Sequence, residues 1–386
     1  MSDFIPYSRQ QIEQSDIDAV VEVLTSDFLT QGPAIERFEK AFAARHQVAH
    51  AVALSNATAA LHIACLAMGV GPGSRVWTSP ISFVASANCA LYCGAAVDFV
   101  DIDPESRNMS VERLAEKLAA AKETGTLPDV VIPVDFSGMP CDLKEMRALA
   151  DEYGFKILQD ASHATGAEYQ GAPVGGQYAD ASVFSFHAVK IVTSAEGGMV
   201  TTQDAQLARR IALLRSHGVT RDEDMLENPS DGGWYYEQVD LGFNYRITDV
   251  QAALGASQLE RVDTMQAERR ARADRYDEIL ADLPLKLPSR HEDRQSAWHL
   301  YVIELGADAK CDRAGLFAAM REAGIGVNVH YIPIHTQPHY TRLGFKRGDF
   351  PAAETYYDRA ITIPLFPAMT DEEQDRVAQI IREHVA

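Results

Sequence analysis

Along the first two-thirds of the chain, short apolar runs alternate with longer stretches whose apolar residues recur every three or four positions. HAVALS (50–55) is a strand-like run, and it leads directly into ATAALHIACLAMG, whose spacing fits a helix closed by Gly69 and Gly71. RVWTS then reads as a strand, FVASANCALYCG as a helix opened by Phe83, and AAVDFVDID as a strand. VVIPVDF, the helix DLKEMRALADEYG and the strand FKILQDAS follow. This βαβαβ rhythm predicts an α/β fold with a large, mostly parallel sheet covered by helices on both faces. Ligands in such folds collect at the carboxyl ends of the strands, so polar residues there are the ones to examine.

From Ile247 to about Leu283 the pattern predicts one long, proline-free helix, apolar and small at first (VQAALGASQL), then charged (ERRARADRYDE). A helix that changes surroundings midway suits a link between two units. Residues 1–250 are expected to form a large domain with an amino-terminal arm, and 251–386 the linking helix and a smaller α+β domain. In the second unit HLYVIEL and VNVHYIP read as strands, AGLFAAMREAG as a helix, and the segment after Thr370 as a closing helix. The acidic stretch TRDEDMLENPSDGGWYYEQ (220–238) is expected to be a flexible loop.

Composition narrows the function classes. The 386 residues are 46% hydrophobic and 23% charged, an ordinary globular mix. A formal net charge of −20 argues against nonspecific binding to nucleic acid or to an anionic membrane. No run reaches the ~18 apolar residues needed to span a bilayer. The start MSDFIPYSRQ lacks the pattern of a signal peptide. Five cysteines (Cys65, Cys89, Cys93, Cys141, Cys311) are odd in number and lie mostly in apolar segments, which reads as reduced thiols in a cytoplasmic protein. Cys89 and Cys93 share a helix face, but no CxxC or second ligand pair accompanies them. His330, His335 and His339 lie close in sequence, yet Pro333 and Pro338 interrupt any regular ligand face, so no metal is expected.

Three segments carry candidate chemistry. In HAVALSNATAALHIA a strand ends at Ser55 and a helix begins near Thr58, so free backbone N–H groups and a hydroxyl meet where an anion can sit. Asn56 or Thr58 could equally be a plain helix cap. In FKILQDASHATG, Asp160 ends an apolar strand, where a carboxylate can keep a pyridine nitrogen protonated or serve a cap or structural ion pair. In ASVFSFHAVKIVTSAEGGMVTT, two strand-like pieces flank a polar turn with Ser185, His187 and Lys190. A lysine buried there has a lowered pKa and becomes nucleophilic, although most lysines simply reach water. Phe83 could lie flat on a cofactor ring or pack in the core. Asn244 and Arg246, just before the long helix, could reach phosphate or cap that helix. No GxGxxG follows a predicted strand, which weighs against a dinucleotide enzyme.

Read together, TQGPAIERFEKAFA, SNATAALHIA, ISFVASANCAL, LQDASHATGA, SFHAVKIVTSAEGG, GFNYRITDVQAALG, VHYIPIHTQPHY and ITIPLFPAMT resemble the DegT/DnrJ/StrS family of sugar-nucleotide aminotransferases over nearly the whole chain. The resemblance implies a fold-type-I enzyme that uses pyridoxal 5′-phosphate and works as a homodimer. It implies that Lys190 holds the cofactor covalently, Asp160 pairs with its ring nitrogen and Phe83 stacks on the ring. Ala57, Thr58 and Ser185 would hold the phosphate, with Asn244 reaching the neighbouring subunit's cofactor. His163 would touch the sugar, and Tyr7, His217, His330 and Tyr331 would line the substrate site. The motif reads AEGG, with Ala195 where the family often has glycine, a change expected to leave the turn intact. Wording in PISFVASANCALYCGA, VDFSGMPCD, DASHATGAEY and SVFSFHAVK is most similar to the branch of pseudaminic acid biosynthesis. That branch converts a UDP-linked 2-acetamido-2,6-dideoxy-4-keto sugar to UDP-4-amino-4,6-dideoxy-N-acetyl-β-L-altrosamine, with L-glutamate as donor. Rival readings are an aminotransferase for another nucleotide-linked 3- or 4-keto sugar and a fold-type-I enzyme acting on amino acids alone, which would need an arginine clamp for an α-carboxylate.

Overall fold

The structure is a computed structural model that describes residues 4–386. Helices α1 (Gln14–Leu24) and α2 (Pro33–Arg45) precede the first strand, β1 (His50–Leu54). Then β1 alternates with α3 (Ala57–Ala67), β2 (Arg75–Thr78), α4 (Ala85–Tyr92), β3 (Ala96–Phe99), α5 (Val111–Thr124), β4 (Val130–Ile132), α6 (Leu143–Tyr153) and β5 (Lys156–Asp160). After a small hairpin of β6 (Glu168–Tyr169) and β7 (Ala172–Pro173) come β8 (Ala181–Ser185), β9 (Gly198–Thr202) and α7 (Ala205–Leu214). Seven of these strands form one sheet in the order β1-β9-β8-β5-β4-β2-β3. Within it β9 alone runs against its neighbours.

Two apolar layers account for this sheet. Along β5, β8 and β9, Ile157, Phe184 and Met199 enter one core while Leu158, Val183 and Val200 enter the other. Successive side chains of a strand point to opposite faces, so strands buried on both sides must be apolar throughout. One core is closed by α2, whose Phe38 and Phe42 meet Phe184 and Phe186 with ring centroids 5.0–5.4 Å apart. The other is closed by α3 and α4 through Leu61, Ile63, Cys65 and Cys89.

Beyond the sheet, a ribbon of β10 (Val219–Thr220) and β11 (Glu237–Gln238) pins the ends of the segment expected to be a loose loop. Within that segment the Glu237 carboxylate accepts from the backbone N–H groups of Glu227 and Asn228 and from the Tyr235 hydroxyl. The expected single helix over 247–283 is two helices, α8 (Asp249–Leu259) and α9 (Val262–Ile279). No proline or glycine marks the break at Glu260–Arg261. Its evident cause is tertiary: Arg261 is drawn to Glu13 at 2.7 Å and Asp16 at 2.5 Å, both at the start of α1. The predicted change of surroundings does occur, because Val262 and Met265 join the large-sheet core while Ala273 and Tyr276 join another.

That second core lies under a three-stranded antiparallel sheet, ordered β12 (Leu285–Lys286), β14 (Tyr301–Leu305), β15 (Ala360–Ile363). β13 (Arg294–Gln295) instead extends the β6–β7 hairpin. Helix α10 (Arg313–Glu322), the short α11 (Pro338–Thr341), α12 (Pro351–Arg359) and α13 (Asp371–Val385) complete the chain. VNVHYIP is not the strand its alternation predicts. Its backbone pairs with the sheet at a single Asn328–Thr362 bridge, and Pro333 cannot donate to a ladder.

Phe42 is fully buried and packs on His46, Phe184 and Phe186. Phe42→Ala is expected to cost about 3–5 kcal/mol of unfolding free energy. Chemical denaturation checks this, and a loss below about 1 kcal/mol would show that α2 is not essential cover for the sheet.

Candidate active site

Strand direction decides where the polar residues meet. Because β1, β2, β5 and β8 are parallel, their carboxyl ends share one edge of the sheet, and their following turns open onto a cavity of about 740 Å³. β1 delivers the amino end of α3; β2 delivers Ser82 and Phe83; β5 delivers Asp160; β8 delivers Ser185. The reversed strand β9 matters here, because the turn between β8 and β9 must fold back over this edge and carries Lys190 with it.

Asp160 is buried, and both of its oxygens are held. Oδ1 accepts from Ser162 N–H at 3.1 Å and Oδ2 from the Ser86 hydroxyl at 2.6 Å, with Ser86 in turn 2.7 Å from the Ser82 hydroxyl. Lys190 faces the same cavity. Burial pushes its pKa down from the ordinary 10.5 to about 8, while the charge of Asp160 opposes that fall. The expected juxtaposition of these two groups is therefore present.

At the amino end of α3, Asn56 is the helix cap, its side chain accepting from Ala59 N–H at 2.8 Å. Capping does not exclude anion binding, because Ala57 and Thr58 still offer backbone N–H groups at the cavity wall. Gly198, which opens β9, makes this approach possible. A Cβ there would lie 2.5–2.7 Å from the backbone of Asn56 and Ala57. In the preceding turn Ala195 has φ +66, so the chain adopts the glycine-type turn without its glycine.

Of the twelve residues expected from sequence, ten line this cavity: Tyr7, Ala57, Thr58, Phe83, Asp160, His163, Ser185, Lys190, His330 and Tyr331. Phe83 does not open α4, which begins at Ala85. It stands ahead of the helix, 59% exposed, at the cavity wall with its ring centroid 6.4 Å from that of Tyr331. Asn244 and His217 lie outside the cavity of their own chain. They are exposed neighbours, joined by the Ser216–Asn244 bridge and the His217 N–H to Phe243 carbonyl bond. His330 bonds Thr362 at 2.7 Å and His335 bonds Glu354 at 2.9 Å, so the closely spaced histidines face different partners.

Sequence reasoning missed His299, which lines the cavity with its ring 4.4 Å from that of His163. Both rings are buried, and burial together with nearby Lys190 holds each well below the ordinary histidine value. The His299 side chain makes no hydrogen bond among the described residues, and its Nδ1 is sealed from water. Arg269 of α9 fixes the backbone there, one guanidinium nitrogen donating to the carbonyls of Trp298, His299 and Leu365. The available signal was a histidine interrupting the apolar run ahead of β14, the same kind of signal that marked Asp160.

These residues fit a phosphorylated pyridine aldehyde. The α3 end can take a phosphate, Asp160 a protonated ring nitrogen, Phe83 the ring face, and the weakly basic Lys190 amine the aldehyde. In the ligand-free protein the amine also sets a pH dependence. Between about pH 8 and 10.5 the unfolded chain binds more protons at Lys190 than the native one, so stability rises with pH across that window. Below about pH 8 the penalty for burying the charge is fully present. Denaturation from about pH 7 to pH 10 should show the wild type gaining on Lys190→Met. Parallel pH profiles would overturn the buried, weakly basic amine.

Comparison with known proteins agrees with this architecture. Residues 10–382 match the model of the DegT/DnrJ/EryC1/StrS aminotransferase family. The spore coat polysaccharide biosynthesis protein SpsC of Bacillus subtilis is 40% identical over 386 residues, which cover 99% of this chain and 97% of that protein. Helicobacter pylori PseC, an aminotransferase involved in the biosynthesis of pseudoaminic acid, superposes with a TM-score of 0.90 at 31% identity, covering 98% of both chains. The PLP-form of Spr1654 from Streptococcus pneumoniae, a putative sugar aminotransferase, superposes with a TM-score of 0.89 at 30% identity, again over 98% of both chains. The fold is fold type I, the cofactor of such enzymes is pyridoxal phosphate, and the chain belongs to the DegT/DnrJ/EryC1/StrS family of sugar aminotransferases.

Proposed function

We propose that this enzyme moves the amino group of L-glutamate to C4 of a UDP-linked 2-acetamido-2,6-dideoxy-4-keto-hexose, giving the UDP-4-amino sugar of pseudaminic acid biosynthesis. The observation that carries the reading is a half-buried Lys190 and a buried Asp160 facing one cavity, in a chain that superposes on PseC over nearly its full length. A second reading, amination of another nucleotide-linked keto sugar, is favoured by the higher identity to SpsC.

Bound pyridoxal phosphate supplies an aldehyde that carries the amino group and a ring that accepts electrons. The chain's residues divide the remaining work. Asp160, fixed by Ser86 and Ser162, keeps the ring nitrogen protonated. Ala57, Thr58 and Ser185 hold the phosphate, and Phe83 covers the ring. Lys190, once displaced by the donor, takes a proton from the donor carbon; with the sugar in place it delivers one to C4. A pKa near 8 suits an amine that must both take and give protons near neutrality. Tyr7, His163, His330 and Tyr331 line the sugar's side of the cavity.

The working unit is a homodimer in the cytoplasm. Asn244 and His217, outside their own cavity, serve the partner's site. Exposed Phe28, Leu29, Trp234 and Leu241 supply apolar surface for the contact.

Lys190→Ala should abolish both turnover and the visible absorbance of the loaded enzyme; retained turnover would refute the assignment. Incubation with purified 4-keto UDP sugars and glutamate, with products identified by NMR, decides the substrate and the face of protonation. Mixed dimers test the shared site. Lys190→Ala and Asn244→Ala homodimers should each be weak, whereas their heterodimer contains one site with both native residues and should regain activity. No recovery on mixing would place Asn244 within its own chain's site.

A further inference from the structure

The cavity wall contains a chain of hydrogen bonds whose direction can be read from the backbone. Ser137 has φ +64, in the left-handed region that L residues avoid, and Gly138 beside it has φ +97. The turn is held from both sides. The Ser137 hydroxyl donates to the Leu300 carbonyl at 2.6 Å, its carbonyl accepts from His299 N–H at 3.0 Å, and the Gly138 carbonyl accepts from Ala297 N–H at 2.9 Å. Space is tight as well, since a Cβ at Gly138 would lie 2.9 Å from the His163 carbonyl oxygen. Held this way, Ser137 directs its backbone N–H to Nδ1 of His163 at 3.3 Å.

A backbone N–H can only donate, so Nδ1 of His163 must present its lone pair. The ring is buried and packed against His299, with Lys190 nearby, so it is neutral and carries its one proton on Nε2. Nε2 lies 3.2 Å from the Tyr331 hydroxyl, with the two rings only 23° from parallel. The imidazole therefore donates to the phenol oxygen. The phenol makes no other hydrogen bond among the described residues and lines the cavity, which leaves its own proton to point at whatever occupies that space.

Resting on the proposed function, we infer that Tyr331 donates a hydrogen bond to an oxygen of the keto sugar, and that Ser137 and His163 are positioning residues that fix this polarity. A phenol with a free choice of direction could accept or donate equally well. Here the accepting role is already taken by an imidazole that cannot turn round without leaving the Ser137 N–H unpaired, a costly outcome for a buried group. The wall then selects for an acceptor such as a carbonyl oxygen.

The polarity is read directly from nitrogen NMR of protein labelled with ¹⁵N-histidine, the His163 signals being assigned by their loss in His163→Gln. Between about pH 6 and pH 8 wild-type His163 should show a bare Nδ1 and a protonated Nε2. A proton on Nδ1, or an imidazolium, would overturn the proposal. Kinetics supply the second arm. Tyr331→Phe should lower kcat/KM for the keto sugar about tenfold to a hundredfold, in the range of one lost buried hydrogen bond. His163→Gln, whose amide can still donate to the phenol, should retain more of that rate than His163→Ala. A Tyr331→Phe enzyme within about twofold of wild type would sink the inference. The NMR measurement needs no sugar, so its outcome does not depend on the substrate assignment. If the UDP-linked 4-keto sugars are not aminated, that assignment alone fails, and the same variants are compared on the nucleotide-linked keto sugar that is.

Discussion

A lysine amine buried in protein loses the hydration that makes it a strong base, and a carboxylate buried nearby gives back only part of it. Lys190 and Asp160 stand in this relation, and much of the fold serves to keep them there. Asp160 ends a strand with both oxygens bonded, and Lys190 sits in a turn whose ends are fixed by strands on either side. The lateral order of the sheet sets their separation, because β5 and β8 are hydrogen-bonded neighbours with Asp160 opposite Val183. One reversed strand does the rest. If β9 ran parallel to β8, the connection would have to cross the sheet as a helix, and the lysine would be carried away from the edge.

A net charge of −20 looks ill matched to a cofactor bearing a phosphate. The conflict dissolves because anion binding here is a local matter. Free backbone N–H groups at the amino end of α3 act at hydrogen-bond range, whereas the acidic surface is screened within about 8 Å at physiological ionic strength. The same locality explains the histidines beside Lys190. Several imidazoles packed around one amine would repel it if charged, but burial holds them below the ordinary histidine value, so His163 and His330 contribute hydrogen bonds and none of the three adds charge.

How much of this could be read from the chain follows from the range of each interaction. The sheet was legible because a strand buried on both faces is mostly apolar along its length, as VVIPV is and as ASVFS is apart from two small serines. Asp160 and Lys190 were legible for the complementary reason: each interrupts such a run. The break at Glu260–Arg261 was not, since its cause is a pair of carboxylates about 245 positions earlier. VNVHYIP misled because alternation records which residues are buried, and here Val327 enters the second core and His330 the cavity wall with little strand pairing between them. Phe83, expected to open its helix, stands two residues ahead of it, because nothing in local spacing separates the last loop residue from the first helical one. His299 interrupts an apolar run as Asp160 does, but it precedes the amino end of its strand, whereas ligands in α/β folds collect at carboxyl ends.

The positions of His299 and Tyr331 show what the second unit contributes. The large sheet supplies an amine, a carboxylate and an anion cradle, which together suffice to hold a cofactor but say little about the sugar. The opposing wall comes from 297–300 and 328–331, segments tied to the small sheet through β14 and the Asn328–Thr362 bridge. Ser137 joins the two, since it leaves β4 of the large sheet yet bonds both the lead-in to β14 and His163. On the proposed reading, the cavity places the cofactor-facing residues at strand ends and turns of the large sheet and the sugar-facing residues on irregular backbone beside it. Irregular backbone accepts change more readily than a two-sided core, so sugar preference can alter while the amine and carboxylate stay fixed.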